Sequence, residues 1–144
     1  MKRAFVDANV ILRYFTKDPL DMAEASLKTF SAAQDGHLSL IVAPITVAEV
    51  VWVLESFYDY SKEQIAATVI QFLYSEGLEV MDLDTVIQAL TVYKGKNIDF
   101  ADALLAVYAL NRGPTLICSF VRDFDRIPGI ARFEPGSYEL NHQD

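Results

Sequence analysis

Two stretches of this chain, Pro44–Leu54 and Phe100–Leu110, are apolar on nearly every side of a helix. A helix of that composition has no solvent face, so it is buried or held at an interface. Each stretch nevertheless carries one acid, Glu49 in the first and Asp102 in the second. Burying an unpaired carboxylate is costly or forces it to take up a proton. Each acid must therefore face a polar crevice, meet a cation or stay protonated.

The covering for such helices comes from short apolar runs. Arg3–Asp7, Leu78–Met81 and Thr115–Cys118 read as strands, Leu38–Val42 as a strand or an extended arm, and Ala131–Phe133 as an edge strand. Helices fall between them. One starts near Asn9. A second has Asp18 as N-cap and Pro19 at its first position, and ends at Asp35-Gly36. A third runs from Pro44 to about Tyr58. A fourth begins with Ser61 and Gln64 in capping-box spacing and is closed by Gly77. Asp84 caps a fifth that reaches Tyr93 and is followed by a basic turn, Lys94–Asn97. Phe100–Leu110 is the last, stopped by Gly113-Pro114. Strands alternating with helices predict a parallel sheet in an α/β sandwich. Trp52, Met81 and Cys118 read as core. The 144 residues suit a single domain over 1–140, with a loose tail at 141–144. No run is long enough for a membrane span, and Met1-Lys2-Arg3-Ala4 leads straight into the first strand without a signal peptide. The lone cysteine, Cys118, can form no internal disulfide, so a cytoplasmic location is the default.

Two more acids stand where a structural reason is incomplete. Asp7 and Asn9 lie where the first strand hands over to a helix, and ligands of open α/β sheets bind outside the carboxyl ends of the strands. Asp99 and Asp102 are three apart at a helix start, on one face. Asp7 and Asp99 could each be plain N-caps. If Asp7, Glu49, Asp99 and Asp102 converged, a pair at about 4 Å would repel by roughly 4 kcal/mol at an effective dielectric near 20. Such a cluster needs cations or bound protons. All-oxygen donors select hard ions, Mg²⁺ or Mn²⁺, and His37 and His142 are not at zinc-ligand spacing. A glycine-rich phosphate loop and a G-x-S-x-G nucleophile motif are both missing. The net charge of −8 argues against gripping nucleic acid by bulk electrostatics. It remains compatible with a nucleic-acid enzyme whose acids are neutralised by metal, or with a protein that binds a basic partner.

The order of motifs resembles a known family. An apolar strand ending Asp7-Ala8-Asn9 comes first, then Val47-Ala48-Glu49-Val50-Val51-Trp52. Asp99-Phe100-Ala101-Asp102-Ala103-Leu104 and the tail from Ser119 to Gly129 follow. Together they are similar to the PIN-domain ribonucleases, and more closely to VapC-type toxins of bacterial toxin–antitoxin pairs. The resemblance implies a three-layer α/β/α sandwich with a central, mostly parallel sheet. It also implies a Mg²⁺- or Mn²⁺-dependent endoribonuclease that acts on RNA and is held by an antitoxin. It places the metal-holding acids at Asp7, Glu49 and Asp102, with Asp99 as a further catalytic acid. Asn9 and Ser119 fall in positioning roles, and Asp123 is the nearest acid where the family has a fourth. That fourth place is occupied by Val121, in Ser119-Phe120-Val121-Arg122-Asp123-Phe124, and a valine can hold neither metal nor its water. Arg13, Lys94, Lys96 and Arg122 lie near the motifs as candidate RNA contacts.

Two alternatives stay open. The chain could be a PIN-like binding module that has lost catalysis through Val121 and acts through a protein partner. It could be a Mg²⁺-dependent phosphatase or nucleotide hydrolase, although residue 9 is Asn rather than the second acid of an Asp-x-Asp pair. The apolar faces of the 44–58 and 61–76 helices suggest a homodimer.

Overall fold

The computed structural model describes residues 2–137; the tail assigned to 141–144 lies outside them. The chain runs β1 (Lys2–Phe5), α1 (Ala8–Thr16), α2 (Leu20–Gln34), β2 (Leu38–Val42), α3 (Pro44–Ser56), α4 (Lys62–Leu73), β3 (Leu78–Val80), α5 (Leu83–Lys96), α6 (Phe100–Arg112), β4 (Leu116–Cys118) and β5 (Ala131–Phe133), with a 3-10 turn at Arg122–Arg126 between the last two strands. Among the described residues every strand pairing is parallel. β1, β2 and β3 form one sheet with β2 in the centre, and β4 and β5 form a second ladder. The register sets Phe5 beside Ile41 and Val42 beside Val80. Val6 extends the first pairing by one bond, its N–H donating to the Ile41 carbonyl at 3.0 Å. The chain is thus the α/β sandwich that the alternation predicts.

Burial explains why these segments sit still. Val47, Val50, Val51 and Leu54 turn the inner face of α3 into the core, where Val42, Ile65, Val69, Val86, Leu90 and Val107 meet them. A knot of aromatic rings, Tyr14, Phe15, Phe30 and Phe72, ties α1, α2 and α4 together with centroids 5.0 to 6.0 Å apart. Such pairs each add about 0.5–1.5 kcal/mol beyond their burial. The end of α2 passes so close to Gly77 that a Cβ there would lie 2.5 Å from the Ala33 carbonyl. That approach, together with a φ of +90°, requires glycine before β3.

Several local expectations change. Pro19, not Asp18, occupies the N-cap of α2, because the Asp18 carbonyl turns back to accept from Arg13 Nη1 at 3.1 Å. Asp82, not Asp84, precedes α5; its carboxylate accepts from the Tyr108 hydroxyl at 2.7 Å and lies 3.5 Å from Arg112. The basic turn at Lys94–Lys96 is the last turn of α5, and the chain leaves the helix at Asn97, φ 54°. Trp52, Met81 and Cys118 are exposed rather than core. On α3 the reason is phase: Ile45, Glu49, Trp52 and Ser56 fall on the outward stripe, opposite Val47, Val50 and Leu54. The 61–76 segment, by contrast, turns Ile65, Ala66, Val69, Phe72 and Leu73 inward, so its apolar face belongs to this core. Its capping box is formed, Ser61 Oγ accepting from Gln64 N at 3.1 Å and Gln64 Oε1 accepting from Ser61 N at 2.9 Å.

One polar rung crosses the main sheet. Arg3 on β1 donates twice to Glu79 on β3, at 2.8 and 2.9 Å, and Ser39 on the intervening β2 donates to the same carboxylate at 2.7 Å. The guanidinium and the hydroxyl hold Glu79 down at about 2, from an ordinary 4.5. Its contribution to stability is therefore complete above pH 4.5 and is lost as the pH falls toward 2. Glu79→Gln should flatten that part of the acid limb in thermal melts followed from pH 6 to about 2. Acid limbs that superimpose for the two proteins would show that the rung carries no stability.

Candidate active site

Three segments carry the acids. Asp7 is the N-cap of α1, Asp99 the N-cap of α6, and Asp102 stands in the first turn of α6. Both N-cap residues have extended backbones, φ −83° and ψ 153° for Asp7 and φ −62° and ψ 145° for Asp99. Neither side chain makes the capping hydrogen bond that would explain an aspartate there. The helix starts therefore account for the positions of these carboxylates and not for their chemistry. Glu49 lies on the outward stripe of α3, exposed beside Trp52.

Asp102 is the most strained of these acids electrostatically. It is partly buried, and its carboxyl is pushed up by that desolvation first, then by the charges of Asp99 and Asp123. Asp123 is thereby in the electrical neighbourhood of α6. Val121 is itself exposed, at 39%, with its N–H donating to Ser119 Oγ at 2.9 Å. Ser119 also offers its carbonyl to Arg132 at 2.9 Å, and Arg132 holds Asp125 at 3.0 Å. The loop is pinned by Arg126, whose Nη2 donates to Asp123 while its Nη1 donates to the carbonyls of Lys96 and Asn97 at 2.7 and 3.1 Å. Arg126 thus ties the 3-10 turn to the end of α5 and occupies one Asp123 oxygen.

A second polar group lies beside α6. The Tyr93 phenol, with its ring buried, donates to Glu55 and is pushed up by burial, by that carboxylate and by Asp99. Lys62 sits 4.1 Å from the ring centroid and 3.7 Å from Glu55, and donates to the Ile98 carbonyl at 3.2 Å. A cavity of about 340 Å³ opens here between α3 and α6, lined by Trp52, Glu55, Ser56 and Asp99 among others. Sequence reasoning missed Arg126, Glu55 and Lys62. Lys62 and Ile98 are 36 residues apart, and no local pattern marks their contact.

Of the cations near the motifs, Lys94 and Lys96 are exposed on the last turn of α5, Arg122 is exposed at the start of the 3-10 turn, and Arg13 faces a cavity with Asn9. Among the described residues no three or more His, Cys, Asp or Glu side chains lie close enough together to hold a metal ion. The donor chemistry still fits a hard divalent cation. The acids are carboxylates free of capping duty, and the most desolvated of them is pressed by two like charges.

Comparison with known proteins adds the family. The model described as the PIN domain matches residues 4–130, from β1 through the last loop before β5. No curated protein matches the chain. Among the described residues no helix is long and apolar enough to cross a membrane.

The strain at Asp102 has a measurable sign. A carboxyl raised above its unfolded value destabilises the fold once ionised, so the penalty is full well above the raised value, fades as the pH falls through it and is gone below the ordinary 3.8. Asp102→Asn should therefore raise the melting temperature of metal-free protein at pH 7, with the gain shrinking by pH 3.5. A variant no more stable than the parent at pH 7 would remove the strain from the account.

Proposed function

The chain belongs to the PIN-domain family, a nuclease-type fold whose members are generally divalent-metal-dependent ribonucleases, and from that premise we propose that it is an endoribonuclease serving as the toxin of a VapBC-type toxin–antitoxin pair. The observation that carries the reading is Asp102, a desolvated carboxylate pressed by Asp99 and Asp123. Such an arrangement is costly to a fold unless something cationic uses it.

In this reading Asp7, Glu49 and Asp102 would hold Mg²⁺ or Mn²⁺, with Asp99 as an added acid. Bound there, the ion would supply a water of lowered pKa and offset charge on the phosphoryl oxygens. The rest falls to the chain. Asp102 and Asp99 accept from the attacking water and fix its direction. The Asn9 amide and the Ser119 hydroxyl orient the carboxylates or the water through hydrogen bonds. Arg13, Lys94, Lys96 and Arg122 supply the positive charge that a chain of net charge −8 otherwise lacks for RNA. The whole-length order of motifs supports the toxin assignment, and with it an antitoxin partner and work in the cytoplasm, where RNA and antitoxin meet. Ile45, Trp52 and Phe57, all exposed at 68% or more on or just after α3, support a protein partner, whether antitoxin or second copy.

A second reading is favoured by one specific observation. Val121 replaces an acid, and Asp123, the nearest substitute, is already paired with Arg126. A PIN module with weakened catalysis that acts through its partner would look like this.

Cleavage of labelled RNA with Mg²⁺ or Mn²⁺ separates the two. The nuclease reading expects metal-dependent cutting that leaves 5′-phosphate ends, is abolished by chelator and falls by about a hundredfold or more in Asp7→Asn and Asp102→Asn. Val121→Asp should raise activity or Mn²⁺ affinity. Full cleavage in both Asn variants, with contaminating nuclease excluded, would refute the assigned site. No cleavage and no Mn²⁺ uptake by the unaltered protein would favour the binding module.

A further inference from the structure

The oxygen-bearing side chains that line the cavity between α3 and α6 are all acceptors. They are Glu55, Ser56 and Asp99, around a space of about 340 Å³. Ionised carboxylates only accept. The Ser56 hydroxyl spends its proton on the Trp52 carbonyl at 2.6 Å, so it too offers only lone pairs. The remaining walls are apolar, from Ala48, Val51, Phe100 and Ala101, with Trp52 exposed beside them. Such a cavity repels a phosphate. It suits a guest that donates hydrogen bonds from the edge of a flat body, and the volume lies at the lower end for small-ligand pockets, about 300–1,000 Å³.

The cavity adjoins the acids of the candidate site. Asp99 lines it, and Asp102 follows three residues on, on the same face of the first turn of α6. Glu49 stands one turn before Trp52 on the outward stripe of α3. A strand whose phosphate lies at those acids carries a base within reach of this space. Single-stranded RNA is read in this way, by stacking an unpaired base on an aromatic ring and bonding its Watson–Crick edge.

Two guests have the required donors, a base and a partner's guanidinium, and Glu55 favours the base. Lys62 already lies 3.7 Å from one oxygen of Glu55, and the Tyr93 hydroxyl donates to the other. A guanidinium would add a second positive charge beside Lys62, whereas a neutral base adds none. The Glu55 side chain is nevertheless 37% exposed, and a carboxylate has about four lone-pair sites, which leaves acceptors for a guest. Among the bases, guanine sets two donors side by side on its Watson–Crick edge, the match for a carboxylate that accepts twice. Adenine and cytosine pair one amino group with a ring acceptor, and uracil holds its N–H between two carbonyls.

We infer that the α3–α6 cavity is a base subsite, in which a guanine of the RNA strand stacks on Trp52 and donates its Watson–Crick edge to Glu55. This rests on the ribonuclease reading and deepens it, by naming the base that the strand presents beside the acids.

Trp52 is the single tryptophan of the chain, so its emission reports on this cavity. The test is quenching of that emission by single-stranded RNA heptamers, six uridines around a central guanine, adenine, cytosine or uracil. They are added to the full chain in excess EDTA and, by rapid mixing, in Mg²⁺. The guanine heptamer should quench at a concentration about tenfold below the others, as expected for a bidentate pair. Glu55→Gln still accepts from Tyr93 but sets an amide donor against one of guanine's, and should abolish that advantage. Ser56→Leu obstructs the cavity from an exposed position and should weaken quenching by the guanine heptamer. Glu63→Gln, on α4 and outside the lining, should behave as the parent does. Melting curves matched to the parent confirm that the variants are folded. Equal quenching by all four heptamers, a guanine advantage that survives in Glu55→Gln, or no quenching in either buffer overturns the subsite, and metal-dependent cleavage by the same preparation leaves the ribonuclease reading standing. Stronger quenching by acetyl-arginine amide than by the guanine heptamer at equal concentration assigns the cavity to a protein partner and overturns the subsite as well. Guanine-selective quenching by a chain that cleaves no RNA with Mg²⁺ or Mn²⁺ upholds the base site and overturns the ribonuclease reading.

Discussion

Like charges do not gather on a folded chain without help, and the placement of Asp102 near Asp99 and Asp123 is maintained by contacts made elsewhere. α6 is fixed because Phe100, Ala103, Ala106 and Val107 are buried in the core, which leaves Asp99 and Asp102 to project from its first turn. Asp123 is brought near by Arg126, which grips the carbonyls at the end of α5, and by Phe124, buried beside it. Lys62 secures the turn before Asp99 through the Ile98 carbonyl. Apolar burial thus supplies the stability that the acids oppose. A fold that holds a desolvated acid, Asp102, at a helix start gives up stability where a cationic ligand could recover it.

Much of this was legible in the sequence, and the reasons are particular. The strand-to-helix handover at Asp7 and the helix start at Asp99 are local events with local signals, and both are where the residues predicted. The same holds for the Ser61–Gln64 capping box and for the parallel α/β plan. The structure departs from the sequence pattern in two ways. Asp18 and Asp84 are good capping residues that lost their positions to neighbours, because Asp18's carbonyl turned to Arg13 and Asp82 was drawn to Tyr108 and Arg112. Trp52, Met81 and Cys118 read as core in the sequence, yet all three are exposed, and on α3 an outward stripe carries Ile45 and Trp52 beside Glu49. Large apolar residues on an exposed stripe are a partner's signature as often as a core's, and composition does not distinguish them. The contacts of Arg126 and Lys62 span about 30 residues or more and leave no periodicity to read.

Val121 is where the proposed site is weakest. The valine stands in the open, and the next acid along the loop, Asp123, is engaged by Arg126.

The central claim is that the acids of α1, α3 and α6 serve a divalent cation. Crystals soaked in Mn²⁺ and measured for its anomalous scattering address it directly, because the signal locates the ion regardless of catalytic rate. The account predicts a peak ligated by Asp102 together with Asp7 or Glu49. A well-ordered crystal whose acids take up no manganese at millimolar concentration, or a peak bound elsewhere with these carboxylates unmoved, would contradict it.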